Sequence, residues 1–490
     1  MKQVQRVLST YSVDLFGVCS ALYELGGLIV MHDASGCNST YNTHDEPRWY
    51  DMDSMVYVSG LRETDAILGN DDRLIDDICE AAFETHPKFI AVSGSPVTSL
   101  MGTDFRGIGR LIEKKTGIPT IAFKTGCMNT YVIGAGQAFR EIVERFCLET
   151  DRSGHRHQEE NADSASERSL KGEESTTKFN DMQTEEKSSE KAQEGDVADK
   201  LKVNLFGVTP LDFSIVGNVE ALKKYITDCG FELCCCLAMG DTLENISNAG
   251  NADVTLVVSS TGLPAAELLK ERFGVPYVVG IPIGKIGSEL IKGEIIDTAC
   301  NCRSKENLYD LDVTGNLNEQ FSAVSINASD GMNEVECAGA EGPEKSTDVT
   351  MSRDRMYDKE LPRLYKDALT PTGDDTWIIG EPVFAASLRR ALEEGLGFKH
   401  VRIICPMEKD AGVLRSCDVM TCEEDEIGEL ISGGKMAIAD PIYRRIVSPE
   451  SSVKFIDFPH EAYSGRIYRD EIPVFIGQNV ERWFAEKLKS

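Results

Sequence analysis

The sequence predicts an α/β protein of three doubly wound, Rossmann-like domains with mainly parallel sheets. Two observations predict it. Short apolar runs such as Leu28-Ile29-Val30-Met31 and Phe89-Ile90-Ala91-Val92 end in small and polar residues, as strands buried on both faces do. Segments with helical apolar spacing separate such runs, and the alternation recurs in three blocks of the chain. The length of 490 residues agrees, because one core does not grow that large.

In the first block, Asp71 to Thr85 places Leu74, Ile78, Ala81 and Ala82 on one helical face. Phe105 to Lys115 repeats the period and stops at Gly117, before a strand from Thr120 to Phe123. The second block reads as strands at Lys202 to Val208, Glu232 to Leu237, Asp253 to Val258 and Tyr277 to Ile281. Helices from Gly217 to Asp228 and from Pro264 to Phe273 lie between them. The third has strands at Thr376 to Ile379, Val401 to Cys405 and Lys435 to Ala439, and a helix from Phe384 to Glu394. The predicted domains are 1–150, 201–302 and 361–490. Residues 151–200, with 14 acids, 8 bases and no Trp, Tyr, Ile or Cys, read as a disordered acidic insert. Residues 303–360 read as a partly ordered linker.

The net charge of −30 is large, and the insert and linker carry only −6 and −7 of it. A body that acidic repels phosphate backbones and anionic lipid, so nucleic acid and membrane surfaces are not expected partners. No window holds 18 uninterrupted apolar residues, and no apolar stretch follows the basic residues near Met1. Fifteen cysteines, an odd number and without a leader, point to a reducing cytoplasm where thiols serve metals or packing.

In doubly wound domains ligands sit outside the carboxyl ends of strands, so the loops after Met31, Val92, Phe123, Val258 and Ala439 are the ones to inspect. The first is His32-Asp33-Ala34-Ser35-Gly36-Cys37, where Cys37 is either a thiolate ligand or a half-buried thiol. The second, Ser93-Gly94-Ser95-Pro96, offers free backbone N–H groups or simply a helix cap. Near the C-terminus, His460, Tyr463, Arg466 and Arg469 follow the strand Lys454 to Asp457. His460 and Tyr463 suit proton transfer, Arg466 suits a carboxylate, and a salt-bridged turn uses the same residue types. Two glycine motifs fail as nucleotide sites. Gly280 to Lys285 is one residue short of a phosphate loop, and Gly134-Ala-Gly136 lacks its third glycine. Cys234-Cys235-Cys236 alternates faces within one strand, and Cys300, Cys302, Cys417 and Cys422 lack zinc-site partners.

Taken in order, these pieces resemble a known family. His32-x₃-Gly36-Cys37 between strand and helix looks like the corresponding segment of the nitrogenase component 1 family. Ser95-Pro96 with Gly102-x-Asp104, Asn204-Leu-Phe-Gly207, Leu263 to Pro276 and Pro459-His460-x-x-Tyr463-Ser464-Gly465 follow in that family's order. The resemblance implies three α/β domains, pairing with a similar subunit as a homo- or hetero-oligomer, and electrons from an ATP-dependent iron protein. It implies an iron–sulfur cluster, of 4Fe–4S type, with Cys37 as metal ligand and Cys19, Asp33, Ser95 or Cys127 around it. His460, Tyr463 and Arg466 become the catalytic candidates.

The departures narrow the expectation. The family's other two cluster cysteines fall near Ser12 and at Ser95, and its large-cofactor thiolate falls near Ser259. Nitrogen fixation is therefore not expected. The expected function is a nitrogenase-like oxidoreductase component acting on an unidentified small-molecule or cofactor-like substrate. The alternatives are a scaffold for assembling a metal cofactor and a cluster-free binding protein.

Overall fold

A computed structural model describes residues 6–9, 11–34, 41, 46–69, 71–148, 200–313 and 374–489. The predicted insert 151–200 lies outside them but for its last residue, and so does Cys37. All three sheets fall in one compact unit, Met1–Cys300 with Pro371–Ser490. The helix Gly284–Val313 continues past the predicted start of the linker at 303, and the rest of the linker, 314–360, lies outside the described residues.

Every named strand pair is parallel. The first sheet holds β1 (Leu28–His32), β2 (Val56–Val58), β3 (Ile90–Gly94) and β4 (Thr120–Phe123), in the order β2-β1-β3-β4. The second repeats that plan with β5 (Lys202–Phe206), β6 (Glu232–Leu237), β7 (Val254–Val257) and β8 (Tyr277–Val279), as β6-β5-β7-β8. The third comprises β9 (Thr376–Ile379), β10 (Val401–Cys405), β11 (Val419–Met420), β12 (Met436–Ala439) and β13 (Lys454–Asp457). Its order is β11-β10-β9-β12-β13. The interior strands β1, β3, β7, β9, β10 and β12 are buried along their whole length, whereas edges such as β2 and β13 have exposed positions. That is why the interior strands appear in the sequence as mainly apolar runs.

The order in which strands are added reverses beside the first strand of each sheet, which puts switch points between β1 and β3, β5 and β7, and β9 and β12. The sequence starts the following helix or turn with the same device four times. A capping residue precedes a proline at Ser95-Pro96, Thr209-Pro210, Glu381-Pro382 and Asp440-Pro441. Proline's fixed φ suits the first helical position, and each capping side chain accepts a backbone N–H that the helix leaves unpaired. The helix predicted over 384–394 instead begins at Pro382, ends at Arg390 and widens into a π turn over Ala391–Gly395.

The helix Asp14–Leu22 crosses Tyr131–Phe146 at two glycines. A Cβ on Gly17 would stand 2.3 Å from the Tyr131 carbonyl oxygen, and one on Gly134 would stand 1.8 Å from that of Asp14. Gly134-Ala-Gly136 is thus a helix-packing motif. Gly284 opens a helix whose next N–H, from Lys285, donates to Glu481 at 2.7 Å, so a protein carboxylate fills the place a phosphate would take.

Candidate functional site

At the first switch point, Ser95 Oγ donates to Asp33 Oδ1 at 2.8 Å, both residues being buried. His32 turns back to Ser59, with Nδ1 at 2.8 Å from Oγ, and burial pushes its pKa down. Two thiols lie nearby. Cys19 is fully buried, and burial, then the charge of Glu46, pushes its pKa well up. Burial, followed by the charges of Asp14 and Asp33, raises the Cys127 thiol to about 12. Neither thiol is readily a thiolate, the form that ligates iron. Among the described residues no three His, Cys, Asp or Glu side chains are arranged to hold a metal ion. These residues do not by themselves fit a cluster, so a cluster would rest on Cys37, outside them.

The three blocks meet through main-chain bonds. Tyr131 N–H donates to the Ser12 carbonyl at 2.6 Å, Ser12 N–H to that of Ala462 at 2.7 Å, and Ala462 N–H to that of Leu211 at 3.1 Å. Side chains from strand ends gather around this junction. Asp212 follows β5, and its Oδ1 accepts from the Tyr131 hydroxyl at 2.5 Å while its Oδ2 accepts from Thr209 at 2.9 Å. Ser259, after β7, bonds to it as well. Glu381, after β9, accepts the backbone N–H groups of Ser260 and Phe384, each at 2.8 Å.

His460 sits three residues past β13, with Nε2 3.8 Å from Asp212 Oδ1. The Ala462 N–H donates to its Nδ1 at 3.2 Å, which leaves the proton of the neutral ring on Nε2. Burial pushes its pKa down to about 4, so the ring is neutral near pH 7. Tyr463 packs between Tyr11, 4.3 Å away between ring centroids, and Tyr443, at 5.2 Å. Asp440 accepts from Ser464 Oγ and the His460 N–H, and burial lifts its pKa to about 6. Arg466 stands in the turn Gly465–Ile467, its side chain outside the described residues. Arg469 is spent on Glu461, at 2.6 Å.

Burial raises the pKa of Asp212 and of Glu381, and the charge of Glu381 adds to the effect on Asp212. A cavity of about 610 Å³ has Ser260, the N–H donor to Glu381, in its wall, together with Tyr277, Glu408 and Met420. Glu408 in turn accepts from Thr130, the neighbour of Tyr131, through N–H at 2.7 Å and Oγ1 at 2.5 Å. A second cavity, of about 670 Å³, lies beside Arg6, Glu424 and Ser451, away from these strand ends.

The model of the nitrogenase component 1 type oxidoreductases matches residues 15–294, more than half of the chain. The chain belongs to that family. It is 25% identical over 246 residues to a subunit of the light-independent protochlorophyllide reductase of Tetradesmus obliquus, covering 48% of this chain and 43% of that one. Against the nitrogenase molybdenum-iron protein alpha chain of Clostridium pasteurianum it is 21% identical, over 46% of this chain and 33% of that one. Similarity to the nitrogenase iron-molybdenum cofactor biosynthesis protein NifE of the same organism is 22%, covering 45% and 38%. The matches thus span less than half the length of these relatives. A solved structure of nitrogenase Cp1 at pH 6.5 superposes with a TM-score of 0.58 at 15% identity, covering all of this chain and 93% of that one, which establishes the fold. Ser259 accepts from the Thr261 N–H at 3.2 Å and its Oγ1 at 3.0 Å, so its hydroxyl is part of a hydrogen-bonded network.

Sequence reasoning missed Asp212, Glu381, Asp440 and Tyr131. The signal was present for three of them. Thr209-Pro-Leu-Asp212, Glu381-Pro382 and Asp440-Pro441 each follow an apolar strand, where a capping acid lands at the sheet's carboxyl edge.

Proposed function

We propose that this chain is an oxidoreductase component that receives electrons from an ATP-dependent iron protein through an iron–sulfur cluster. It reduces a small-molecule or cofactor-like substrate in the cavity beside the three-block junction. One observation supports this above the others: carboxyl-edge residues from all three sheets gather at one place, next to a cavity of about 610 Å³. Family membership supports the redox class. Cys37 is the assigned cluster ligand and 4Fe–4S the assigned type, completed by a similar subunit in a homo- or hetero-oligomer. Asp33 and Ser95 flank that loop. When bound, the cluster supplies electrons one at a time. The chain's own residues hold a proton between Asp212 and Glu381 and orient His460 through Ala462, while Ser260, Tyr277 and Glu408 line the cavity. His460, Tyr463 and Arg466 remain the proposed catalytic set.

A scaffold that holds a metal cofactor during assembly is the second reading, favoured by the similarity to the cofactor biosynthesis protein. The Ser259 network counts against a thiolate-anchored cofactor at that place. Anaerobic purification followed by iron and sulfide assays and EPR tests the main reading. Stoichiometric iron and sulfide with a reducible cluster signal are expected, and protein free of both would overturn it. Electron uptake from an ATP-dependent iron protein separates the reductase from the scaffold.

A further inference from the structure

Two carboxylates, Asp212 and Glu381, are buried close enough for the charge of one to act on the other, Asp212 held by hydroxyls and Glu381 by backbone N–H groups, one of them from Ser260 in the cavity wall. Ser259 bonds to Asp212 and the next residue, Ser260, donates its N–H to Glu381 at 2.8 Å, so consecutive residues tie the pair together. Among the described residues neither carboxylate has a lysine or arginine within ion-pair distance; the one basic group near Asp212 is His460, at 3.8 Å. Two like charges buried together without a cation are costly, and removing one charge with a proton relieves the cost. The arrangement also places the proton where it is of use. Ser260 is at once a donor to Glu381 and part of the cavity wall.

We propose that Asp212 and Glu381 together hold one exchangeable proton at neutral pH and release it into the adjoining cavity. This rests on the reading of that cavity as the place of reduction, where an unsaturated substrate taking up electrons also needs protons. In the release step the O–H bond of Asp212 breaks and its electron pair stays on the carboxyl oxygen. The proton forms a new bond at an electron-rich atom in the cavity, and solvent later restores it. The carboxylate left behind accepts from the Tyr131 hydroxyl at 2.5 Å and from Thr209 at 2.9 Å. His460 acts as a positioning residue, presenting its Nε2–H toward Asp212. The titratable groups facing Asp212 are Tyr131 from the first block, Glu381 and His460 from the third. Burial, then the Asp212 charge, pushes the tyrosine's pKa up, so it stays a donor throughout.

The test is infrared spectroscopy of the full chain, without iron or reductase, with ¹³C-labelled aspartate and glutamate to mark the carboxyl bands. At neutral pH the wild type should show a protonated carboxyl C=O band. In D₂O this band should shift while the amides of the core strands are still protected, as a proton in contact with the cavity requires. Asp212→Asn should remove the aspartyl part of the band. Glu381→Gln should weaken proton binding at Asp212 about tenfold, read as its titration moving down by about one pH unit. A wild type with both groups ionised at neutral pH would overturn the proposal. So would a band that both substitutions leave unchanged, or one that exchanges only on global unfolding. If Asp212→Asn does not fold, the Glu381→Gln titration decides alone. Because no metal enters the measurement, a shared proton in a protein that binds no iron would leave the pair standing and remove the reductase reading.

Discussion

His460 presents Nε2 to Asp212 Oδ1 at 3.8 Å while its Nδ1 accepts the Ala462 N–H at 3.2 Å. One bond chooses the tautomer, and the other edge of the ring faces the acid. The turn itself is held by main chain, since the His460 carbonyl accepts the N–H groups of Tyr463, Ser464 and Gly465 at 3.0–3.3 Å. The imidazole is therefore separable from the fold of the segment that carries it.

Replacing the imidazole should change the pH dependence of stability in a defined window. The folded pKa is pushed below the ordinary 6.5 to about 4, so the unfolded chain takes up this proton first. The contribution is fully present above about pH 6.5 and is lost as pH falls toward 4, amounting to about 3 kcal/mol at most. Asp440 works in the opposite sense, since its raised pKa stabilises the fold at low pH and ceases to do so as pH rises through about 6. Only a difference between variants isolates the histidine. In urea titrations, wild-type stability relative to His460→Ala should decline as pH drops across that window. A difference independent of pH would show that the ring is not held neutral. At neutral pH the variant should lose about 1–2 kcal/mol and keep the iron content of the parent.

Arg48 makes the second testable contact set. Its guanidinium pairs with Glu46 at 2.6 Å and Glu24 at 2.7 Å and donates to the Ser20 carbonyl at 2.8 Å, all nearly out of reach of solvent. Arg48→Met should cost about 3–5 kcal/mol, because it strands two buried carboxylates rather than because the pair is strong. Adding Glu46→Gln to Arg48→Met should restore part of the loss. A double variant no more stable than the single one, in denaturant titrations, would refute that cause.

What could be seen in the sequence follows what each element packs against. Val401–Cys405 and Thr376–Ile379 are buried on both faces, so each is a mainly apolar run with the predicted limits, Arg402 and Thr376 being the polar exceptions. The helix Asp71–Thr85 buries one face, and its periodicity gives both ends correctly. Asp14–Leu22 hides eight of its nine residues, so it has no polar face to set a period and is not legible as a helix. The site was half legible for a similar reason. His460 and Cys37 are residue types that attract notice alone. Asp212 and Glu381 matter only as a pair, and 169 positions of sequence separate them.

Cys37→Ser should abolish most bound iron and the visible absorbance of the anaerobic protein, with little change in melting temperature. Cys37 follows His32 and Asp33 in the sequence, and these two are held by bonds to Ser59 and Ser95. Iron retained in full by the variant would assign the cluster to other thiols, Cys127 first, since it is only partly buried.

The helix crossing gives the sharpest steric prediction. Alanine is ordinarily better than glycine inside a helix by about 0.5–1 kcal/mol. At Gly287 a Cβ meets nothing within 4 Å, so Gly287→Ala should be neutral or stabilising. At Gly134 the same atom would lie 1.8 Å from the Asp14 carbonyl oxygen, a backbone atom that cannot turn aside. Asp14–Leu22 must then move off Tyr131–Phe146, which disturbs the Tyr131-to-Ser12 bond of 2.6 Å and with it the placing of the Tyr131 hydroxyl on Asp212. Gly134→Ala should therefore cost about 3 kcal/mol or more despite its better helix propensity. It should also return the Asp212 titration toward that of an ordinary carboxylate, as water enters the opened junction. Both readings come from one preparation, by denaturant titration and by infrared. A Gly134→Ala protein as stable as Gly287→Ala would mean that the two helices are not in contact at this glycine.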